Sequence, residues 1–197
     1  MAIIKYLNTK SSIAETVLSI HFLLGGARSG KSSYAEALAF AQWQKQGGTL
    51  HYIATATPFD DEMRHRIEMH QERRGCEWSN HECPHKLSDK LAEFSSQDIV
   101  LIDCLTLWLN NVIYNDGDTA TPEMIEQEVK KLASALSVCP AKVYCVSNEV
   151  GLGIIPLGEV TRLYVDHAGW MNQAVAKVAQ EVTFMAAGLP MVLKTKQ

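Results

Sequence analysis

The chain has 197 residues, 47% of them hydrophobic and 20% charged, with a formal net charge of −4 at pH 7. This composition indicates one globular domain with a substantial core, and the negative charge gives no overall basic field for nucleic acid or an anionic membrane. No apolar run approaches the roughly 20 residues of a membrane-spanning helix, and the N-terminus lacks the pattern of a signal peptide. Five scattered cysteines do not suggest a disulfide framework. We therefore expect a cytoplasmic protein that neither spans a membrane nor binds nucleic acid.

Predicted strands and helices alternate along the chain. Residues 1–17 are mixed and polar and are predicted to be an N-terminal extension, whereas residues 18–197 form a single domain. This alternation predicts an α/β fold with a mainly parallel central sheet flanked by helices. Residues 75–84 are predicted to be a loop or a short strand, and residues 147–158 a long loop. The predicted strands are 18–24, 49–54, 99–103, 141–146, 182–187 and 191–193, and the predicted helices are 32–46, 62–74, 86–94, 105–113, 122–137 and 159–181.

A phosphate-binding loop follows the first predicted strand. Residues 25–32 match the pattern G-x-x-x-x-G-K-[ST], with an apolar strand before them and a helix after them. In such a loop the backbone N–H groups and the helix N-terminus bind phosphate oxygens. Lys31 would reach the β- and γ-phosphates of a nucleotide, and the Ser32 hydroxyl would bind Mg²⁺. The loop residues are Gly25, Gly26, Ala27, Arg28, Ser29, Gly30, Lys31 and Ser32.

Other polar residues follow the ends of further predicted strands. Thr55, Asp103 and residues 147–149 occupy such positions, so a parallel sheet would bring them to one crevice with the phosphate-binding loop. Asp103 could hold Mg²⁺ opposite Ser32, or it could cap the helix that follows. The crevice is thus predicted to suit phosphoryl transfer.

The predicted helix 62–74 is densely charged and has two interpretations. It could be a solvated surface helix, since it carries few apolar residues. Alternatively, the neutral imidazole of His70 could attack the α-phosphorus of a nucleoside triphosphate, with Arg66, Arg73 and Arg74 stabilising the charge that develops. The residues alone leave both interpretations open.

A cluster of cysteines and histidines suggests a metal site less strongly. Cys76, His81, Cys83 and His85 have a spacing that matches no standard zinc pattern. They could equally be loop residues close to a site.

Several segments together resemble one enzyme family over nearly the whole chain after about residue 20. It is the bifunctional adenosylcobinamide kinase / adenosylcobinamide-phosphate guanylyltransferase family of cobalamin assembly. The resemblance implies a RecA-like P-loop NTPase fold and a homotrimer. The segments that carry it are 25–32, 52–56, 60–63 with Arg66, Ile67 and His70, then 82–83, 103–106, 147–156 and 166–173.

The resemblance implies two reactions and assigns roles to residues of this chain. The first reaction phosphorylates adenosylcobinamide with ATP or GTP; the second transfers GMP from GTP through a covalent histidine to the phosphate, which gives adenosylcobinamide-GDP and pyrophosphate. His70 matches the histidine that carries GMP, and Lys31 and Asp103 are the other catalytic residues. Tyr34 and residues 108–111 become candidates for contact with the corrinoid. Beyond the phosphate-binding loop, the implied nucleotide contacts are Thr55, Ala56, Thr57, Arg73, Arg74, Glu82 and Asp103.

Two alternative functions are compatible with parts of the pattern. A small-molecule P-loop kinase with a single activity would need Lys31, Ser32 and Asp103 but not His70. A GTP-dependent switch would be supported by a guanine-reading N-K-x-D motif, which the sequence lacks.

Overall fold

A mainly parallel sheet forms the centre of the molecule. The structure, a computed structural model, describes residues 19–57, 75–115 and 118–195. Within these ranges the helices are α1 (Lys31–Gln46), α2 (Leu87–Leu91), α3 (Leu105–Ile113), α4 (Pro122–Val138) and α5 (Glu159–Val178). The strands are β1 (Ser19–Gly25), β2 (Thr49–Ala54), β3 (Trp78–Glu82), β4 (Asp98–Asp103), β5 (Tyr114–Asn115), β6 (Asp118–Thr119), β7 (Lys142–Asn148), β8 (Glu181–Ala186) and β9 (Leu189–Lys194).

The described strands form a seven-stranded sheet in the order β3-β2-β4-β7-β1-β8-β9. All neighbouring strands in it are parallel except β8 and β9, which form an antiparallel pair at one edge. β5 and β6 form a separate antiparallel hairpin. The carboxyl ends of β1, β2, β3, β4 and β7 therefore meet at one edge of the sheet, as the sequence predicts.

Helices cover both faces of the sheet, which explains the apolar character of its central strands. Residues 99–102 of β4 are all buried, as expected for a parallel strand between two helical layers. On one face, Ala35 and Ala39 of α1 pack with residues such as Leu101. On the other face, α3, α4 and α5 enclose the larger core cluster. Among the described helices, none is both long and apolar enough to cross a bilayer.

Most predicted elements are confirmed, with several changes of extent. Residues 75–84 contain the strand β3, and the turn-rich residues 115–121 include part of the β5–β6 hairpin. The helix predicted at 86–94 is confined to Leu87–Leu91, and α5 ends at Val178 rather than at residue 181. The predicted extension 1–17 and the predicted helix 62–74 lie outside the described residues.

The expectation that residues 108–111 contact a corrinoid is wrong for most of this segment. Trp108 and Leu109 are 0% exposed and belong to the core cluster behind the sheet. The Trp108 indole N–H donates a hydrogen bond to the His85 carbonyl oxygen at 2.8 Å. Asn111 is also buried and donates to the carbonyl oxygens of Thr55 and Pro84. These side chains hold the protein together and cannot face a bulky ligand.

Candidate nucleotide-binding site

The phosphate-binding loop connects the central strand β1 to α1. The Ser29 N–H donates to the Gly26 carbonyl oxygen at 3.3 Å, and Gly30 has a φ of 91°, a left-handed conformation that suits glycine. The first turn of α1 contains no acidic residue, and no described side chain caps its N-terminus. The first N–H groups of a helix have no acceptor within the helix, so this N-terminus and the positive end of its dipole suit an anion.

Two neighbouring segments hold the loop from either side. The Glu149 N–H donates to the Gly25 carbonyl oxygen, and the Gly188 N–H donates to the Ser29 carbonyl oxygen, both at 3.0 Å. Gly25 is also enclosed by side-chain and backbone atoms, because a Cβ placed on it would lie 2.5 Å from the Met185 carbonyl oxygen and 2.7 Å from the Ser29 hydroxyl oxygen. The entrance of the loop thus has no room for a side chain.

We expect Gly25→Ala to lower the free energy of unfolding by about 1–3 kcal/mol, since a rigid backbone carbonyl must shift to admit the methyl group. Gly26→Ala is the matched control, because nothing lies within 4 Å of a Cβ at that position. It should change stability by less than about 1 kcal/mol. Urea unfolding without nucleotide measures both, and equal losses in the two variants would contradict the packing described for Gly25.

Lys31 begins α1 and folds back over the loop. Its side chain is largely buried, at 7% exposure for the residue, and its ammonium group donates to the Gly26 carbonyl oxygen at 2.9 Å. Burial lowers the pKa of Lys31, and the negative charge of Cys104 and Asp103, when ionised, opposes this shift. A phosphate would provide a charged acceptor in place of the neutral carbonyl, so attraction between opposite charges would strengthen the hydrogen bond of the ammonium group.

Asp103 ends β4 at the same edge of the sheet. Its carboxylate accepts a hydrogen bond from the Tyr52 hydroxyl at 3.1 Å, and its negative charge opposes the lowering of the pKa of Lys31. Asp103 does not cap α3, which was the alternative role for its carboxylate. The N-cap residue of α3 is Cys104, and no side-chain capping bond is present there within the described chain. Ser32 lies in the first turn of α1. Its hydroxyl and the Asp103 carboxylate are the oxygen donors suited to Mg²⁺ here.

Thr55 follows β2, but its hydroxyl is committed to the protein. The residue is 0% exposed; its hydroxyl donates to the Cys104 carbonyl oxygen at 2.7 Å and accepts from the Cys104 N–H at 2.9 Å. The hydroxyl thereby fixes the backbone just beyond Asp103. Ala56 and Thr57, which follow, are partly exposed.

We expect Thr55→Val to destabilise the protein by about 1–3 kcal/mol, because it leaves the buried Cys104 N–H without a partner and removes one of the two hydrogen bonds to the Cys104 carbonyl oxygen, the other being donated by the Trp108 N–H. The volume of the side chain hardly changes, so the loss reports the hydrogen bonds. Thr49→Val, at the exposed start of the same strand, is the control and should stay within about 0.5 kcal/mol of the parent protein. Thermal or urea unfolding measures the stability of both variants. If Thr55→Val left the free energy of unfolding unchanged, the hydrogen bonds of the Thr55 hydroxyl would not stabilise the protein.

The end of β7 is held by residues that sequence reasoning did not single out for this role. The Ser147 hydroxyl donates to the Asn172 side-chain oxygen at 2.7 Å, and the Asn148 side-chain amide donates to the Thr106 hydroxyl at 2.9 Å. Asn172 lies on α5 and also donates to the Asn148 carbonyl oxygen at 3.3 Å. These bonds orient the end of β7. The next residue, Glu149, donates its N–H to the Gly25 carbonyl oxygen and so supports the phosphate-binding loop.

Glu82 lies at the end of β3, opposite Ala54 of β2, with its side chain exposed at the same edge of the sheet.

The thiols of Cys83 and Cys104, which follow Glu82 and Asp103 in the chain, are poor nucleophiles. Burial raises the pKa of Cys104 to about 11 and also raises the pKa of Cys83. Within the described ranges, no group of three or more histidine, cysteine or acidic residues is arranged to hold a metal ion. The predicted site residues His70, Arg73 and Arg74 lie outside the described residues.

Comparison with solved structures concerns the fold alone. A KaiC-like protein from Pyrococcus horikoshii superposes with a TM-score of 0.53 at 10% sequence identity, with 91% of this chain and 80% of that chain covered. This likeness, the parallel sheet and the loop after β1 confirm the predicted P-loop NTPase fold of the RecA-like type.

Comparison of sequences identifies the family. The bifunctional adenosylcobalamin biosynthesis protein CobP of Pseudomonas aeruginosa is 46% identical over 173 residues, which cover 87% of this chain and 95% of that protein. The bifunctional adenosylcobalamin biosynthesis protein CobU of Salmonella typhimurium is 37% identical over 180 residues, which cover 86% of this chain and 97% of that protein. The model of the family described as cobinamide kinase / cobinamide phosphate guanyltransferase matches residues 21–193. This chain therefore belongs to the cobinamide kinase / cobinamide phosphate guanyltransferase family.

Proposed function

We propose that the protein is a bifunctional enzyme of cobalamin biosynthesis. It phosphorylates adenosylcobinamide with ATP or GTP and then transfers GMP from GTP to the new phosphate, which yields adenosylcobinamide-GDP. The observation that carries this proposal is the family match over residues 21–193, which includes the phosphate-binding loop, Asp103 and His70.

In the kinase step, the hydroxyl oxygen of adenosylcobinamide attacks the γ-phosphorus of the nucleotide. A phosphorus–oxygen bond to the acceptor forms and the hydroxyl proton passes to solvent, while the bond between the γ-phosphorus and the β–γ bridging oxygen breaks and the nucleoside diphosphate leaves. The loop N–H groups and the ammonium group of Lys31 neutralise the charge on the β- and γ-phosphates. Phosphoryl transfer depends mainly on such positioning and charge stabilisation.

In the second reaction, an imidazole nitrogen of His70 attacks the α-phosphorus of GTP. A phosphorus–nitrogen bond forms and pyrophosphate leaves; a phosphate oxygen of adenosylcobinamide phosphate then attacks the same phosphorus and releases the imidazole. Arg73 and Arg74 are proposed to contact the phosphates, and Glu82 and residues 55–57 to contact the rest of the nucleotide. The exposed position of Glu82 at the sheet edge supports its part of this assignment.

The oxygen donors Ser32 and Asp103 suit Mg²⁺, which prefers carboxylate and hydroxyl ligands. When bound, Mg²⁺ would supply positive charge to the phosphates. The Tyr52 hydroxyl orients the Asp103 carboxylate from the side, through its hydrogen bond of 3.1 Å. We further propose that the protein acts in the cytoplasm as a homotrimer.

The proposal is tested by incubating the purified protein with adenosylcobinamide, GTP and Mg²⁺ and separating the corrinoid products. We expect adenosylcobinamide phosphate to appear first and adenosylcobinamide-GDP to accumulate after it. Formation of the phosphate alone would favour a kinase with a single activity. Hydrolysis of GTP with no modified corrinoid would favour a GTP-dependent switch and overturn the proposal.

A further inference from the structure

A groove between α4 and α5 lies on the outer side of the helical layer, apart from the phosphate-binding edge. Its volume is about 310 Å³, which is at the small end of the range for ligand pockets. None of the predicted nucleotide contacts lines it. The lining residues are Glu126, Val129 and Lys130 from α4, and His167, Trp170 and Ala174 from α5.

His167 gives this groove an unsatisfied hydrogen-bonding atom. The residue is 2% exposed, and its Nδ1 lies 2.8 Å from the Leu163 carbonyl oxygen. Because a carbonyl oxygen only accepts, Nδ1 must carry the hydrogen, and in the neutral ring Nε2 is then an acceptor. Nε2 is buried and has no hydrogen-bond partner in the described part of the chain. Buried polar atoms usually have such a partner, so we expect a hydrogen-bond donor from outside the chain to bind to Nε2.

The surroundings of Nε2 favour an organic donor over water. A water molecule held in a cavity needs two to four polar partners, whereas Val129, Trp170 and Ala174 present apolar surface. At the rim, the Lys130 ammonium donates to the Glu126 carboxylate at 3.1 Å, so these two charges compensate each other. The groove therefore suits a neutral molecule.

Trp170 provides an aromatic wall of the groove. Its ring meets the His167 ring edge to face, with centroids 5.0 Å apart and an angle of 74° between the planes. Trp170 is 52% exposed, so much of this residue borders solvent rather than the core. Aromatic rings favour edge-to-face or offset contacts with a further ring.

We infer that this groove binds a neutral small molecule that carries an aromatic ring and donates one hydrogen bond, through O–H or N–H, to Nε2 of His167. The ring occupies the space between Val129, Ala174 and the Trp170 indole. The donor satisfies the buried imidazole. This site is independent of the nucleotide site and of the proposed reactions.

The test uses phenol and anisole as a matched pair, since anisole keeps the ring but has no O–H. The full chain is titrated with each compound while the indole N–H signals are followed by ¹H–¹⁵N NMR, and Trp170→Phe identifies the Trp170 signal. We expect a saturable shift of that signal and binding of phenol about fivefold tighter than that of anisole, because only phenol satisfies the acceptor. Absence of a saturable shift, or anisole binding as tightly as phenol, would overturn the inference.

Two variants locate the site. His167→Phe keeps an aromatic ring but removes the acceptor, so the preference for phenol over anisole should disappear. Ala174→Leu places additional side chain in the groove from the same helix and should abolish binding of phenol while His167 is unchanged. If His167→Phe does not fold, Ala174→Leu still decides the question. Persistence of the phenol preference in His167→Phe, or of phenol binding in Ala174→Leu, would place binding elsewhere and contradict the inference.

Discussion

Replacing Lys31 by alanine is expected to lower the rates of both phosphorylation and GMP transfer by about 10³-fold or more. In the proposed function each reaction uses a triphosphate bound at the same loop, and the Lys31 ammonium folds over that loop to the Gly26 carbonyl oxygen. When Lys31 is removed, no ammonium group from α1 neutralises the negative charge on the β- and γ-phosphates. Initial rates of the two reactions, measured separately with adenosylcobinamide and with its phosphate, give the result.

Lys45→Ala is the matched control for this variant. Lys45 lies in the last turn of the same helix, is exposed, and is far along α1 from the loop. It should leave both rates within about twofold of the parent, since exposed substitutions away from a site have small effects. Circular dichroism should show that both variants are folded. If Lys31→Ala kept more than a tenth of either rate, the proposal that this loop holds the reacting triphosphate would fail for that reaction.

The sheet could be predicted well because its central strands carry strong local signals. Residues 99–102 form a continuous apolar run, and 18–24 and 141–146 are mostly apolar, so each is recognisable as a buried parallel strand. β3 has no such signal: its sequence is WSNHE, and only its place beside β2 makes it a strand. Strand preference depends strongly on neighbouring strands, which the local sequence does not reveal.

The candidate site could be predicted only in part. The phosphate-binding loop and Asp103 were identified because their motif and their position after a strand are local features. The support around them is not local: the Thr55 hydroxyl bonds to Cys104, 49 positions away, and Asn172 bonds to Ser147, 25 positions away. These contacts depend on strand register and on helix packing. The burial of Trp108, which rules out contact with a corrinoid, depends on such packing as well, because three helices together enclose it behind the sheet.

Replacing His70 by alanine is the second change for which we expect a large loss of activity. His70→Ala should reduce GMP transfer by about 10⁴-fold or more, because the residue that accepts the α-phosphoryl group is removed and no covalent intermediate forms. Phosphorylation of adenosylcobinamide should remain within about threefold, as that reaction needs the loop and Lys31 but not the imidazole. His65→Ala, another histidine of the predicted helix 62–74, is the matched control and should retain both activities.

The central claim is that one triphosphate site serves both an attack at the γ-phosphorus and an attack by His70 at the α-phosphorus. It is tested most directly by incubating the parent protein, His70→Ala and His65→Ala with α-labelled GTP alone and, separately, with γ-labelled GTP and adenosylcobinamide. We predict acid-labile, alkali-stable α-label on the parent protein and on His65→Ala but none on His70→Ala, while all three transfer γ-label to adenosylcobinamide. Equal α-labelling of His70→Ala and the parent protein, or no α-labelling of any of the three, would contradict the account.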